Sequence, residues 1–128
     1  MVLAPLIKDK KGEHKNILAG IAKAGYHRVR FDGAIYPVNP KGGEVFGLTI
    51  YQRIEDIPEE IDFAIIAVAA KYVPEALEAC RLKGAAGAEV LSSGFKEAGT
   101  QEGDALDEEL RRITQKGIRV IGPNCFGV

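Results

Sequence analysis

This sequence has almost no net charge, only two cysteines and no long hydrophobic run. Seventeen Lys and Arg residues nearly balance eighteen Asp and Glu residues. A net charge near −1 argues against a nucleic-acid binder, because such proteins normally carry a basic surface. No apolar run approaches the length needed to cross a bilayer. Only a few apolar residues precede the first lysine cluster, which is not the pattern of a secretory signal.

Cysteine is too rare to build a disulfide framework or a zinc site, since only Cys80 and Cys125 are present. A reducing cytoplasm is therefore the expected location. Cys80 lies on an apolar helical stripe and is expected in the core. Cys125 is expected to be an inert, partly buried thiol, because neither His14 nor His27 is adjacent to activate it.

A strand followed by a helix forms the predicted centre of the chain. Phe63–Val68 is a short continuous apolar run, which is typical of a strand covered on both faces in a parallel sheet. A segment with helical periodicity follows, with Pro74 near its start and Gly84 at its end. Its buried stripe is predicted to contain Val73, Leu77 and Cys80.

Strands and helices alternate along the rest of the chain. Further strands are predicted at Val2–Ile7, Ile35–Asn39, Glu89–Leu91 and Arg119–Ile121. Helices are predicted at Asn16–Ala24 and at Asp104–Lys116, the second burying Leu106, Leu110 and Ile113, and one helical turn within Gly47–Pro58. Pro5 confines the first strand to a strand start, an edge or a bulge. The alternation predicts one three-layer, Rossmann-like α/β domain over residues 1–128, with a five-stranded parallel sheet and helices on both faces.

In such a sheet, the ligand crevice lies beyond the carboxyl ends of the strands. The segments expected there are Lys8–Gly12, Pro40–Gly43, Ala69–Ala70, Ser92–Phe95 and Gly122–Gly127. They supply small residues, backbone amides and several lysines. This combination favours a ligand that carries phosphate groups.

Five segments in this order resemble the CoA-binding domain of the NDP-forming acyl-CoA synthetases, the group that includes the succinyl-CoA synthetase alpha subunit. They are Tyr36–Lys41, Glu44–Leu48, Asp62–Ala70, Leu91–Glu97 and Ile121–Gly127. The likeness extends from about Ile17 to Val128. Each segment alone is weak, because any parallel α/β sheet offers glycine at strand ends.

The resemblance implies that CoA is the cofactor and that it contacts Pro40, Lys41, Val68, Ala69, Ser92, Ser93, Gly94, Asn124 and Cys125. Lys41 matches the family lysine that meets the CoA phosphates or ribose, although a solvated turn lysine is the alternative. The backbone of Ser92–Gly94 either approaches CoA or is an ordinary strand exit. Asn124 either contacts the ligand or holds the turn by bonding backbone groups.

One departure from the family concerns the first turn. The family opens with a strand and a glycine-rich turn, whose glycines let the backbone close on the CoA phosphates. Here Gly12 is the only candidate motif glycine, and Lys8, Lys10 and Lys11 either replace the backbone donors with charge or form a solvated loop. Ala69 stands where the family usually has proline, which is a milder departure.

The leading hypothesis is a CoA-binding module of an acyl-CoA ligase, which positions CoA for thioester formation by other domains or subunits. The family's phosphoryl-carrying histidine lies in a later domain, so no catalytic residue and no metal site are expected here. The alternatives are a stand-alone CoA-binding regulator and a dinucleotide-binding oxidoreductase domain. The oxidoreductase alternative lacks support because no Gly-x-Gly-x-x-Gly opens the first helix. Homo-oligomerisation is possible on general grounds.

Overall fold

The computed structural model describes residues 33–125 and the backbone of one strand near the start of the chain. The strands in these ranges are β1 (Val2–Ile7), β2 (Gly33–Val38), β3 (Gly43–Val45), β4 (Leu48–Ile50), β5 (Phe63–Ile66), β6 (Gly87–Val90) and β7 (Arg119–Ile121). The α-helices are α1 (Val73–Leu82) and α2 (Gln101–Thr114). Single 3-10 turns occupy Ile54–Asp56, Ala70–Tyr72 and Lys96–Ala98.

The main sheet has five strands in the order β2-β1-β5-β6-β7, but they are not all parallel as predicted. β5, β6 and β7 are neighbours and run parallel. β1 lies between β2 and β5 and is antiparallel to both. The prediction was wrong about β1 because an apolar run identifies a strand but not its direction. The right-handed crossover rule constrains only strands that are already parallel.

Pro5 lies in an interior strand, at a point where that strand has only one neighbour. The β1–β5 ladder pairs only Val2 with Ile66 and Leu3 with Ile65, whereas the β1–β2 ladder continues as far as Ile7. Proline is tolerated where a strand has one unpaired side. β1 is therefore an edge strand, as expected for a strand with proline, only in its second half, where it pairs with β2 alone.

The strand register places four strand ends at one edge of the sheet, which we call the carboxyl edge. Val2 pairs with both Val38, the last residue of β2, and Ile66, the last residue of β5. Ile66 in turn pairs with Val90, the last residue of β6, and Ile121 of β7 lies beside Glu89. The segments that follow β2, β5, β6 and β7 thus leave the sheet on the same side.

Both described helices pack on the same face of the sheet. The core contains Ala64 and Ile66 of β5 and Ala88 and Val90 of β6, together with the inward residues of the helices. As predicted, Val73, Leu77 and Cys80 are buried on α1, Leu110 and Ile113 are buried on α2, and Leu106 packs against them. Burial raises the pKa of the Cys80 thiol to about 12, so this cysteine is inert at neutral pH.

The helix predicted at Asn16–Ala24 lies outside the described residues. Within the described part of the chain, no helix is long and apolar enough to cross a membrane.

Element boundaries differ from the sequence prediction where capping and short hairpins decide them. α2 begins three residues early because the Thr100 hydroxyl accepts the N–H of Gly103 and caps the helix. The β3–β4 hairpin was missed because its strands have three residues each, with no clear alternation. The helical turn expected within Gly47–Pro58 is present at Ile54–Asp56.

A buried glutamate lies on the sheet face opposite to the two helices. Glu89 is 3% exposed, and its strand neighbours are Ile65 and Ile121. Its Oε1 atom is buried and has no hydrogen-bond partner among the described residues. A buried polar atom without a partner costs about 1–3 kcal/mol. Glu89 therefore destabilises the strand in which it lies.

Replacing Glu89 with an apolar residue should stabilise the protein. Glu89→Leu should raise the free energy of unfolding in urea by about 1–3 kcal/mol, because it removes the cost of burying the carboxyl group. Glu89→Gln, which keeps a polar group at the same position, is the matched control and should change stability little. A less stable Leu variant would contradict this account.

Glu78 links the two helices electrostatically. Its carboxylate accepts hydrogen bonds from Arg81 Nε at 2.7 Å and from Lys116 Nζ, just beyond α2, at 2.9 Å. These bonds lower the pKa of Glu78 to about 2. Because the side chain remains partly exposed, its contribution to stability is small.

The contribution of Glu78 should depend on pH. Its pKa is lower in the folded chain, so the stabilisation is complete above the ordinary value of 4.5 and is lost as the pH falls toward 2. Glu78→Gln should therefore lower the melting temperature slightly at pH 7 and converge with the wild type in acid. Glu108→Gln, at an exposed position of α2, should match the wild type throughout. A difference for Glu78→Gln that is independent of pH would exclude this origin.

Candidate functional site

At the carboxyl edge, the segments that follow β5 and β6 are joined directly. The Ser92 hydroxyl donates a hydrogen bond to the Val68 carbonyl, and the Leu91 N–H donates to the Ile66 carbonyl at 3.0 Å. The Ser93 hydroxyl and N–H have no hydrogen-bond partner in the described part of the chain. Ser93 therefore presents two groups at the rim that a ligand can bind.

Gly94 allows these two segments to approach each other closely. Its φ is +108°, a conformation that residues with a side chain rarely adopt. A Cβ atom at this position would also lie 3.1 Å from the Ala70 Cβ atom. Both the turn after β6 and its contact with the turn after β5 thus favour glycine.

The segment after β7 closes on the same turn. The Asn124 N–H donates to the Ser92 carbonyl at 2.9 Å, and the Cys125 N–H makes a long 3.4 Å bond to the Val90 carbonyl. Asn124 has a φ of +56°, which asparagine tolerates better than most residues. Its backbone holds this turn in place. Cys125 is half-buried, as expected.

The segment after β2 is a turn organised by Asn39. Its side-chain oxygen accepts the Lys41 N–H at 3.0 Å, and its carbonyl accepts the Gly42 N–H at 2.9 Å. The Lys41 side chain is exposed, and its ammonium group has no partner in the described ranges. It is therefore available to an anionic ligand.

A cavity of about 550 Å³ opens between the end of β2, the exit of β5 and α1. This volume is within the usual range for small-molecule sites. Two predicted contact residues, Pro40 and Val68, line it. Its other walls come from Val38, Gln52, Arg53, Ile54, Glu55, Tyr72, Glu75, Ala76 and Ala79. The lining is mainly apolar with a few charged groups, a composition suited to a flat ring with polar substituents.

One cation, Arg53, lines this cavity, and another, Lys71, contacts its Tyr72 wall. The Lys71 ammonium lies 4.9 Å from the centre of the Tyr72 ring, and Tyr72 is 53% exposed. Arg53 lies 3.4 Å from Glu55 in an exposed ion pair. Sequence reasoning missed Arg53 and Tyr72, although an aromatic residue just before a helix at a strand exit was an available signal.

The carboxyl edge brings together nine of the predicted site residues. These are Pro40, Lys41, Val68, Ala69, Ser92, Ser93, Gly94, Asn124 and Cys125. Of these, Pro40 and Val68 line the cavity. The remaining four predicted residues, Lys8, Lys10, Lys11 and Gly12, lie outside the described residues. The strand before them ends at Ile7 opposite Gly33, which is the edge where β2 begins.

Comparisons with known sequences identify the family of this chain. A family model described as a CoA binding domain matches residues 22–128. The chain is 48% identical over 99 residues to an acetate–CoA ligase [ADP-forming] I of Archaeoglobus fulgidus, covering 77% of this chain and 14% of that protein. It is 44% identical over 103 residues to the alpha subunit of acetate–CoA ligase [ADP-forming] I of Pyrococcus furiosus, covering 77% and 22%.

A solved structure of a synthetase is also similar to this chain. The dinucleotide-forming acetyl-coenzyme A synthetase 1 of Ca. Korarchaeum cryptofilum, in its apo form, is 32% identical with a TM-score of 0.68. The likeness covers 95% of this chain and 26% of that one. The chain thus spans between about a seventh and a quarter of the length of these proteins.

Gly122 should be required for the turn after β7. Its φ is +97°, and a Cβ atom there would lie 2.4 Å from the Val90 carbonyl oxygen. Gly122→Ala should therefore reduce the free energy of unfolding by roughly 1–3 kcal/mol more than Gly117→Ala. Gly117 is a matched control because its φ is +112° and nothing lies within 4 Å of its Cβ position. Equal losses in the two variants, measured by urea unfolding, would show that backbone strain alone matters.

Proposed function

The chain belongs to the CoA-binding domain family, and from this premise we propose that it binds CoA at the carboxyl edge as one module of an NDP-forming acyl-CoA ligase. The observation that carries this proposal is the meeting of three features at one edge. These are the cavity lined by Pro40 and Val68, the exposed Lys41, and the turn formed by Ser92–Gly94.

In this proposal, the ligand is positioned by shape and charge. The cavity beside Tyr72 accepts the flat adenine ring, since an exposed aromatic face and an apolar wall favour stacking. Lys41 and Lys71 stand near the cavity and neutralise phosphate groups. The pantetheine arm then runs along the rim past Ser93. No residue of this chain is assigned a chemical step.

Thioester formation, in this proposal, takes place together with domains or subunits outside the chain. The matched region covers only 14% and 22% of two relatives named as ADP-forming acetate–CoA ligases. Residues 1–128 then act as a single CoA-binding domain within a ligase. The family match favours this function over a dinucleotide-binding oxidoreductase domain. The length of the native gene separates this function from that of a stand-alone regulator. A gene that encodes further ligase domains would favour the ligase module.

We also place the protein in the cytoplasm, since its thiols are reduced there and CoA is available. Exposed apolar side chains support an interface with a partner. Among the large apolar side chains of the described residues, Leu82 and Phe46 are the most exposed, at 71% and 58%. Self-association through such a surface stays a prediction, and sedimentation at several concentrations measures it.

Calorimetric titration tests ligand binding. CoA should bind with measurable heat and NAD much more weakly, because no Gly-x-Gly-x-x-Gly motif opens the first predicted helix. Lys41→Ala should weaken CoA binding by roughly five- to tenfold, with a smaller salt dependence than the wild type.

Arg119→Ala is the matched control for Lys41→Ala. Arg119 is the exposed first residue of β7 and pairs with Gly87, the first residue of β6, at the edge of the sheet opposite to the carboxyl edge. The control should bind CoA as the wild type does. Equal heats for CoA and NAD, or no heat for either, would contradict the proposed function.

A further inference from the structure

A glutamate side chain occupies the backbone amides of the turn after β6. Glu97 Oε1 accepts the Gly94 N–H at 2.7 Å and the Phe95 N–H at 3.2 Å. The bond from Gly94 is the main reason that the pKa of Glu97 is lowered. One carboxylate oxygen therefore satisfies two neighbouring amides that lie beside the free groups of Ser93.

Contacts with the rest of the chain fix both ends of this turn, at Ser92 and at Phe95, and the Glu97 carboxylate holds the residues between them. Phe95 is fully buried in the core, and its carbonyl accepts the Ala98 N–H at 2.9 Å. Ser92 is bonded to Val68 and Asn124. Between these anchors stand only Ser93 and Gly94, and glycine has the greatest backbone freedom of any residue.

We propose that Glu97 is a positioning residue for CoA, holding the Gly94 and Phe95 amides so that the hydroxyl and N–H of Ser93 point to the ligand. The proposal rests on the proposed function, because CoA is the ligand that Ser93 meets. Glu97 acts through the turn and does not touch CoA. Its charge is not required, because a single oxygen accepts both bonds and a neutral amide oxygen can do the same.

The simpler alternative is that Glu97 only caps the 3-10 turn Lys96–Ala98 in which it lies. Capping of this kind affects local stability but gives no reason for ligand affinity to change. A third possibility is that the carboxylate repels the anionic ligand. These three roles give different results when the side chain is shortened and when it is neutralised.

Three variants separate these roles: Glu97→Ala, Glu97→Gln and the control Glu108→Ala. Glu108 is exposed in the middle of α2, and alanine favours helix there. Calorimetry with CoA at pH 7 should show Glu97→Ala about tenfold weaker than the wild type. Glu97→Gln should remain within about threefold of the wild type, because its amide oxygen restores both bonds. Glu108→Ala should be unchanged.

Other results would overturn the positioning role. If Glu97→Ala bound CoA as tightly as the wild type does, the only remaining role of Glu97 would be to cap the 3-10 turn. Affinity in Glu97→Gln as low as in Glu97→Ala would show that the charge itself is needed. Tighter binding in both would show repulsion.

A measurement without CoA keeps the inference separable from the proposed function. In nitrogen–proton NMR spectra of the wild type, the Gly94 and Phe95 amides should shift together as Glu97 is protonated in acid, below its ordinary pKa range. The same amides should not follow this titration in Glu97→Gln. If the wild type shows the coupled shift but binds no CoA, the proposed function fails while the contact stands. If CoA binds but the two amides do not shift together, the positioning role fails alone.

Discussion

The register of the main sheet is the constraint on which the candidate site depends. Because Val2 pairs with both Val38 and Ile66, and Ile66 pairs with Val90, the ends of β2, β5 and β6 lie in one row across the sheet. With strands about 4.8 Å apart, this row spans roughly 14 Å from the first of these ends to the last. A single extended ligand can therefore contact every exit. A slip of one residue in any of these pairings would also turn the core-facing side chains outward.

Backbone hydrogen bonds turn this row of strand exits into a connected rim. Ser92 is the central residue, since its hydroxyl reaches the exit of β5 and its carbonyl receives the turn after β7. Gly94 then packs against Ala70, and the Glu97 carboxylate holds the far side of the turn. Several polar groups of this rim are satisfied by the chain itself. Within the described residues, the hydroxyl and N–H of Ser93 and the ammonium group of Lys41 can bind a ligand without breaking existing bonds.

The sequence predicted the parts of this arrangement that follow from local pattern. The apolar run at Phe63–Val68 and the helical stripe of Val73, Leu77 and Cys80 are where they were expected, because periodicity reflects burial directly. The direction of β1 could not be predicted in this way, since strand direction depends on long-range pairing. The position of Tyr72 just before a helix at a strand exit was a signal in the sequence, but its role as a wall of the cavity depends on distant segments that meet there.

Individual polar contacts were also beyond the reach of pattern. Glu89 was read as an ordinary strand residue, yet its carboxyl group is buried between Ile65 and Ile121. For Asn124 the sequence left open a contact with the ligand or a role in holding the turn, and the bond that the structure shows is from its N–H to the Ser92 carbonyl. The family likeness pointed to segments that follow strands, and in the structure the exits of β2, β5, β6 and β7 share one edge of the sheet.

The reversed direction of β1 has a practical consequence for anyone who joins another sequence to this one. Val2 stands in the same row as the last residues of β2 and β5, so β1 enters the sheet from the ligand side. An affinity tag or fusion partner attached ahead of it would start beside the mouth of the cavity and could obstruct it. Enzymatic removal of the tag keeps that entrance open.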